Sequence, residues 1–75
     1  MRVLFITADN QLRAYSIQDA HIKEDKLFLN EYTEGAKFLK ITFPTSAKAR
    51  EALIELVKTG FLDATNRKTS ENYAT

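Results

Sequence analysis

Only one stretch of this chain has helical periodicity, and both of its ends are marked. Pro44 cannot donate to a sheet ladder and so closes the extended segment before it, while Thr45 or Ser46 supplies an N-cap oxygen. At about 100° per residue, Ala49, Ala52, Leu53, Leu56 and Val57 share one face, and Lys48, Glu51, Glu55 and Lys58 share the opposite one. The opposite charges on that second face fall at i,i+3 and i,i+4 spacings, as on a solvated surface. Gly60 offers the left-handed position that ends a helix, with Phe61 expected to fold back on Leu56. A single helix carries one apolar stripe and can cover one face of one sheet. The rest of the fold must therefore be built from strands.

Ahead of the helix, apolar residues run continuously or alternate over short stretches, the pattern of strands. Val3 to Thr7 is a continuous β-forming run, closed by the turn signal Asp9-Asn10. Leu12 to Ile17 reads as a second strand, with Arg13, Tyr15 and Ile17 on one side. Gln18-Asp19-Ala20 breaks or bulges it before His21-Ile22-Lys23 resumes an extended course. Glu24-Asp25 fits a two-residue hairpin loop leading into the strand Lys26 to Tyr32. Thr33 to Ala36 is the next turn, with Gly35 able to take positive φ, and Lys37 to Phe43 is the last strand. The expected fold class is α+β: an antiparallel β-meander of about four strands followed by one C-terminal amphipathic helix. Beyond Leu62 the composition turns polar, with Tyr73 the only large apolar side chain. Residues 1–62 are expected to form a single domain, and residues 63–75 a flexible tail.

With 75 residues, such a domain buries only about 60% of its unfolded surface, and small folds usually compensate with disulfides, a metal or a partner subunit. The chain contains no cysteine and one histidine, so disulfides and thiolate metal sites are excluded, and no carboxylate cluster stands at ligand spacing. No metal or cofactor is expected. Oligomerisation is the remaining route to added stability. Eleven basic against 10 acidic residues give a net charge of +1, which fits neither an acidic nucleic-acid mimic nor a strongly basic binder. No apolar run approaches the roughly 20 residues of a membrane span, and the apolar run near the N-terminus is too short for a signal peptide. The expected compartment is the cytoplasm, and no membrane partner is expected.

Catalytic chemistry finds little support. A general base needs a second group to orient it and a nucleophile to act on. His21 is the only candidate base, with Asp19 and Glu24 nearby. Alternation puts Asp19 and His21 on one face of an extended segment, with no nucleophile beside them, as for an ordinary surface histidine. No Gly-x-Ser-x-Gly is present, and two isolated glycines cannot form a phosphate loop. The chain is not expected to be an enzyme.

The sheet is more informative. If Leu39, Ile41 and Phe43 face the helix, Phe38 points away; in the preceding strand Leu27 and Leu29 separate from Phe28 and Tyr32 in the same manner. The first strand adds two apolar residues to each face, either Val3 and Phe5 or Leu4 and Ile6 to the face away from the helix. Tyr15, Phe28, Tyr32, Phe38 and Lys40 form the expected interaction surface. An apolar surface of that extent is uncommon on a soluble monomer. It can be buried by curling of the sheet into a half-barrel, by a second copy, or by another ligand. The leading expectation is a non-enzymatic protein-interaction module, either a homodimer or a small accessory subunit of another protein. The alternative is a single-stranded nucleic-acid binder, because Arg13, Lys26, Lys37 and Lys40 lie on or beside the strands that carry the aromatics. Glu24, Asp25, Glu31 and Glu34 interrupt that basic field.

Overall fold

The computed structural model describes residues 2–8, 10–31, 37–65 and 67–73. Four strands come first: β1 (Arg2–Ala8), β2 (Gln11–Lys23), β3 (Lys26–Glu31) and β4 (Lys37–Thr42). They form the antiparallel meander that the alternation predicts. Helix α1 (Ser46–Thr59) follows, and then β5 (Phe61–Asp63) and β6 (Lys68–Tyr73). The expectation of about four strands ending in a C-terminal helix is therefore corrected. The fold is α+β, with a mixed six-stranded sheet of order β5-β1-β2-β3-β4-β6, and two strands lie beyond the helix.

This topology forces the sheet to curl. The β5 and β6 strands are opposite edges of the sheet, yet only residues 64–67 connect them. Five strand spacings of about 4.8 Å would separate the edges of a flat sheet by roughly 24 Å. The five chain steps from Asp63 to Lys68 reach at most about 18 Å even when fully extended. The connection is in fact folded: the Ala64 amide donates to the Thr7 carbonyl at 2.7 Å, and the Arg67 amide to the Ala64 carbonyl at 3.0 Å. The two edges are thus drawn toward each other, without hydrogen bonds joining them into a closed barrel.

A bulge in β2 makes the bend possible. Residues 11–17 pair with β1 and residues 17–23 with β3, and the register shifts between Ile17 and Asp19. The extra residue reverses the inside–outside alternation, so Ile17 before it and Ala20 and Ile22 after it all meet the core. Leu4, Ile6, Leu27, Leu29, Leu39 and Ile41 complete the inner face of the sheet, and Leu62 joins them from β5. Glu31 also lies on the inner face, buried, with Lys37 Nζ 3.8 Å from its Oε2. Ala49 and Leu56 close the core from α1.

The helix ends match their sequence signals. The Lys48 amide donates to Thr45 Oγ1 at 3.1 Å, and Gly60 sits at φ 75° with its amide bonded to the Leu56 carbonyl at 2.8 Å. A Cβ added at Gly60 would meet nothing within 4 Å, so the cost of substitution there is backbone strain alone. Gly60→Ala is expected to destabilise the protein by about 1–2 kcal/mol, read as a lower denaturation midpoint at unchanged slope. The buried stripe is narrower than expected. Val57 is 52% exposed, because the helix reaches the curled sheet mainly through Ala49 and Leu56, with Ala52 and Leu53 at the margins. Phe61 does not fold back on Leu56. It enters β5 with its side chain outward, and Leu62 takes the inward position.

The polar segment after Leu62 is also corrected. Described residues 68–73 pair along β4, from Lys68 opposite Thr42 to Tyr73 opposite Lys37. An edge strand is held by its backbone ladder and needs no run of apolar side chains, so hydropathy gives little sign of it. At the start of the connection that leads there, Asp63, the last residue of β5, accepts at its Oδ1 from the Thr65 amide at 3.0 Å. Hydrogen bonding to Thr65 lowers the Asp63 carboxyl below its ordinary range, and the Lys26 ammonium does the same for Asp25. Both groups have a folded-state pKa below the unfolded value. They therefore favour the folded state above the ordinary carboxylate pKa, and that contribution is lost as pH falls through the folded values. Thermal midpoints taken from neutral to about pH 2.5 should fall less steeply for Asp63→Asn, which keeps the acceptor oxygen but does not titrate.

Candidate interaction surface

The face of the sheet away from α1 divides into two halves of different chemistry. Across an antiparallel ladder, residues in direct register share a face, so the outer face can be read rung by rung.

On β2, β3, β4 and β6, one rung holds Lys23, Lys26, Thr42 and Lys68. The next holds His21, Phe28, Lys40 and Ser70, and a third holds Asp19, Asn30 and Phe38. The His21 ring stacks on Phe28, with centroids 5.0 Å apart and planes 7° from parallel. Phe28 in turn lies 5.9 Å from Phe38 at a 46° tilt. Three rings thus form a file across three strands. Beside them an open cleft of about 340 Å³ is lined by Lys23, Glu24, Lys26, Phe28, Phe38 and Lys40. Lys26 Nζ contacts Asp25 at 2.9 Å, whereas Lys23, Lys40 and Lys68 form no ion pair among the described residues. Asp19 accepts a hydrogen bond from Asn30 at the far end of the file.

On β5, β1 and β2 the outer face displays exposed apolar side chains, with Thr7 and Asp63 beside them. Phe61 lies directly beside Phe5, which stands opposite Ala14; on the next rung Asp63, Thr7 and Leu12 follow. Phe5 is 47% exposed, Phe61 45% and Leu12 61%, so these neighbouring apolar side chains leave much of their surface in water.

Of the residues expected from sequence to form the surface, Phe28, Phe38 and Lys40 come together on the outer face. Tyr15 does not join them. It pairs with Leu4 on the inner face and packs, half-buried, against the core. The reason is the register: Tyr15 and Ile17 are on the same side of β2, and Ile17 is core. Tyr32 lies outside the described residues. Sequence reasoning left the side of Phe5 open and assigned Phe61 to the helix cap, so it missed the second, apolar half. The sign available was Phe61-Leu62 itself, two adjacent apolar residues that cannot both face inward in an extended segment.

Asp19 and His21 share the outer face as alternation implies, but His21 is stacked on Phe28 and Asp19 is engaged by Asn30. Among the described residues no group of three or more His, Cys, Asp or Glu side chains could hold a metal ion. No helix among them is long and apolar enough to cross a membrane. No family model matches the chain, and neither the curated proteins nor the solved structures contain a match to it.

Proposed function

We propose that this chain is a non-enzymatic interaction module that pairs with a second copy of itself through the apolar half of its outer face. The observation that carries this reading is the direct juxtaposition of Phe5 and Phe61, both about half exposed, with Leu12 on the adjoining rung. Fully burying a Phe side chain is worth roughly 2 kcal/mol, a large sum beside the few kcal/mol that stabilise a domain of this size. An apolar patch is complementary to its own copy, as a twofold interface requires. The other half of the face is poorly suited to self-pairing, because a twofold there would set the lysines of Lys23, Lys26, Lys40 and Lys68 against their symmetry mates. The interface expected from sequence at Phe28, Tyr32 and Phe38 is accordingly moved to Phe5, Phe61 and Leu12. Light scattering across a dilution series tests the proposal, with twice the chain mass expected at high concentration. A protein that stays monomeric at its solubility limit rules out self-pairing and leaves a different protein as the occupant of the patch.

A further inference from the structure

We infer that the aromatic half of the outer face binds single-stranded nucleic acid, with bases stacked on the ring file and phosphates held by the flanking lysines. This inference does not depend on the dimer, since it uses the opposite half of the face.

Three features converge on that ligand. First, the rings of His21, Phe28 and Phe38 lie in sequence across β2, β3 and β4, and His21 is solvent-exposed on its outer side. Planar rings displayed on a sheet surface are the platform on which unpaired bases stack, largely without regard to sequence. Second, four of the seven basic residues on the strands border that file. Lys40 stands on the same rung as His21 and Phe28, and Lys23, Lys26 and Lys68 occupy the adjoining rung. Third, the acids nearby are largely engaged: Asp25 is paired with Lys26, which leaves Lys23, Lys40 and Lys68 as the cations without an ion pair among the described residues, and Asp19, on the rung of Phe38, is bonded to Asn30. Glu24 is the exception, at the rim of the cleft. The His21 ring covers one face of Phe28, so a phosphate chain running along the lysine rung would leave its bases one rung away, against the exposed His21 ring and in the cleft lined by Phe28 and Phe38. A protein partner offers no such regular alternation of anion and planar ring. Double-stranded nucleic acid presents phosphates but keeps its base faces covered.

The test uses the full chain and fluorescence anisotropy with labelled oligothymidine and oligouridine of about ten nucleotides, at low salt. The parent protein should bind both. Phe28→Leu and Phe38→Leu keep apolar bulk on the sheet but remove the ring, and each should weaken binding about 5- to 150-fold, the range for loss of one stacked base. Lys40→Ala should lower affinity and flatten the log–log salt slope by about 0.7, one phosphate contact on a single strand. Circular dichroism must show the parent fold for each variant. Failure of both oligomers to bind at low salt overturns the inference. So does binding that the leucine variants leave intact, or that inorganic polyphosphate displaces equally well in parent and variants, since either outcome reduces it to attraction of a polyanion. Phe61→Asp should leave affinity per chain unchanged; loss of binding in that variant would place the site at the dimer interface instead.

Discussion

Phe61→Asp should produce a folded monomer at concentrations where the parent chain is a dimer. The carboxylate would sit close to the twofold axis, facing the same charge on the partner, with neither water nor a cation to balance it. A buried, unpaired charge costs about 3–5 kcal/mol, so the dimer dissociation constant should rise by at least roughly 100-fold. The fold itself should tolerate the change, because Phe61 is 45% exposed and makes no part of the buried core. Leu12→Asp, at a position 61% exposed, is a second probe of the same patch and should act in the same direction. Phe38→Asp is the contrasting variant: it lies on the lysine half and should leave the mass unchanged. Light scattering on the three proteins reads the result. Dissociation by Phe38→Asp but not by Phe61→Asp would return the interface to the aromatic half and refute its placement on Phe5 and Phe61.

Ending the chain at Arg67 should remove most of the protein's stability. The deletion takes away β6, which pairs with all six residues of β4, and leaves the edge of that strand open. It also uncovers Ile41, which is fully buried and stands directly opposite Thr69. A 75-residue chain has roughly 4–11 kcal/mol of stability in total, and loss of an edge strand with its ladder should remove several kcal/mol of it. Urea denaturation of both forms would measure the difference. Hydrogen exchange would locate it, with β4 amides slow in the full chain and fast in the shortened one. Equal midpoints and equal β4 protection would show that residues 68–73 behave as the tail that their composition suggests.

How much of this could be read from the sequence follows from the range of the interactions involved. The helix was legible at both ends, because capping by Thr45 and the left-handed turn at Gly60 act within a few residues. The meander was legible too, since alternation in Leu27-Phe28-Leu29 and Phe38 through Phe43 reports which side chains a sheet buries. That same alternation placed Phe28, Phe38 and Lys40 on one outer face. What the sequence could not decide was how far the sheet continued past four strands. Strand β5 is three residues long, too short for any period, and β6 is polar, held through backbone hydrogen bonds that no side-chain pattern records.

The sidedness of Phe5, Tyr15 and Phe61 was likewise a tertiary decision. A run such as Val3 to Ile6 offers two apolar residues to either face, and only the pairing of β1 with both β2 and β5 selects Leu4 and Ile6 for the core. That selection turns Phe5 outward and Tyr15 inward together, because residues in register share a face. Phe61 follows once Leu62 is drawn in beside Ile6. Local propensity thus determined the helix, the Glu24-Asp25 hairpin and the outward side of Phe28, Phe38 and Lys40, while strand register brought His21 into line with the two phenylalanines. The curl, the two edge strands and the apolar patch arose only when distant segments met, since each depends on contacts between residues more than twenty positions apart, as Phe5 is from Phe61 and Thr42 from Lys68.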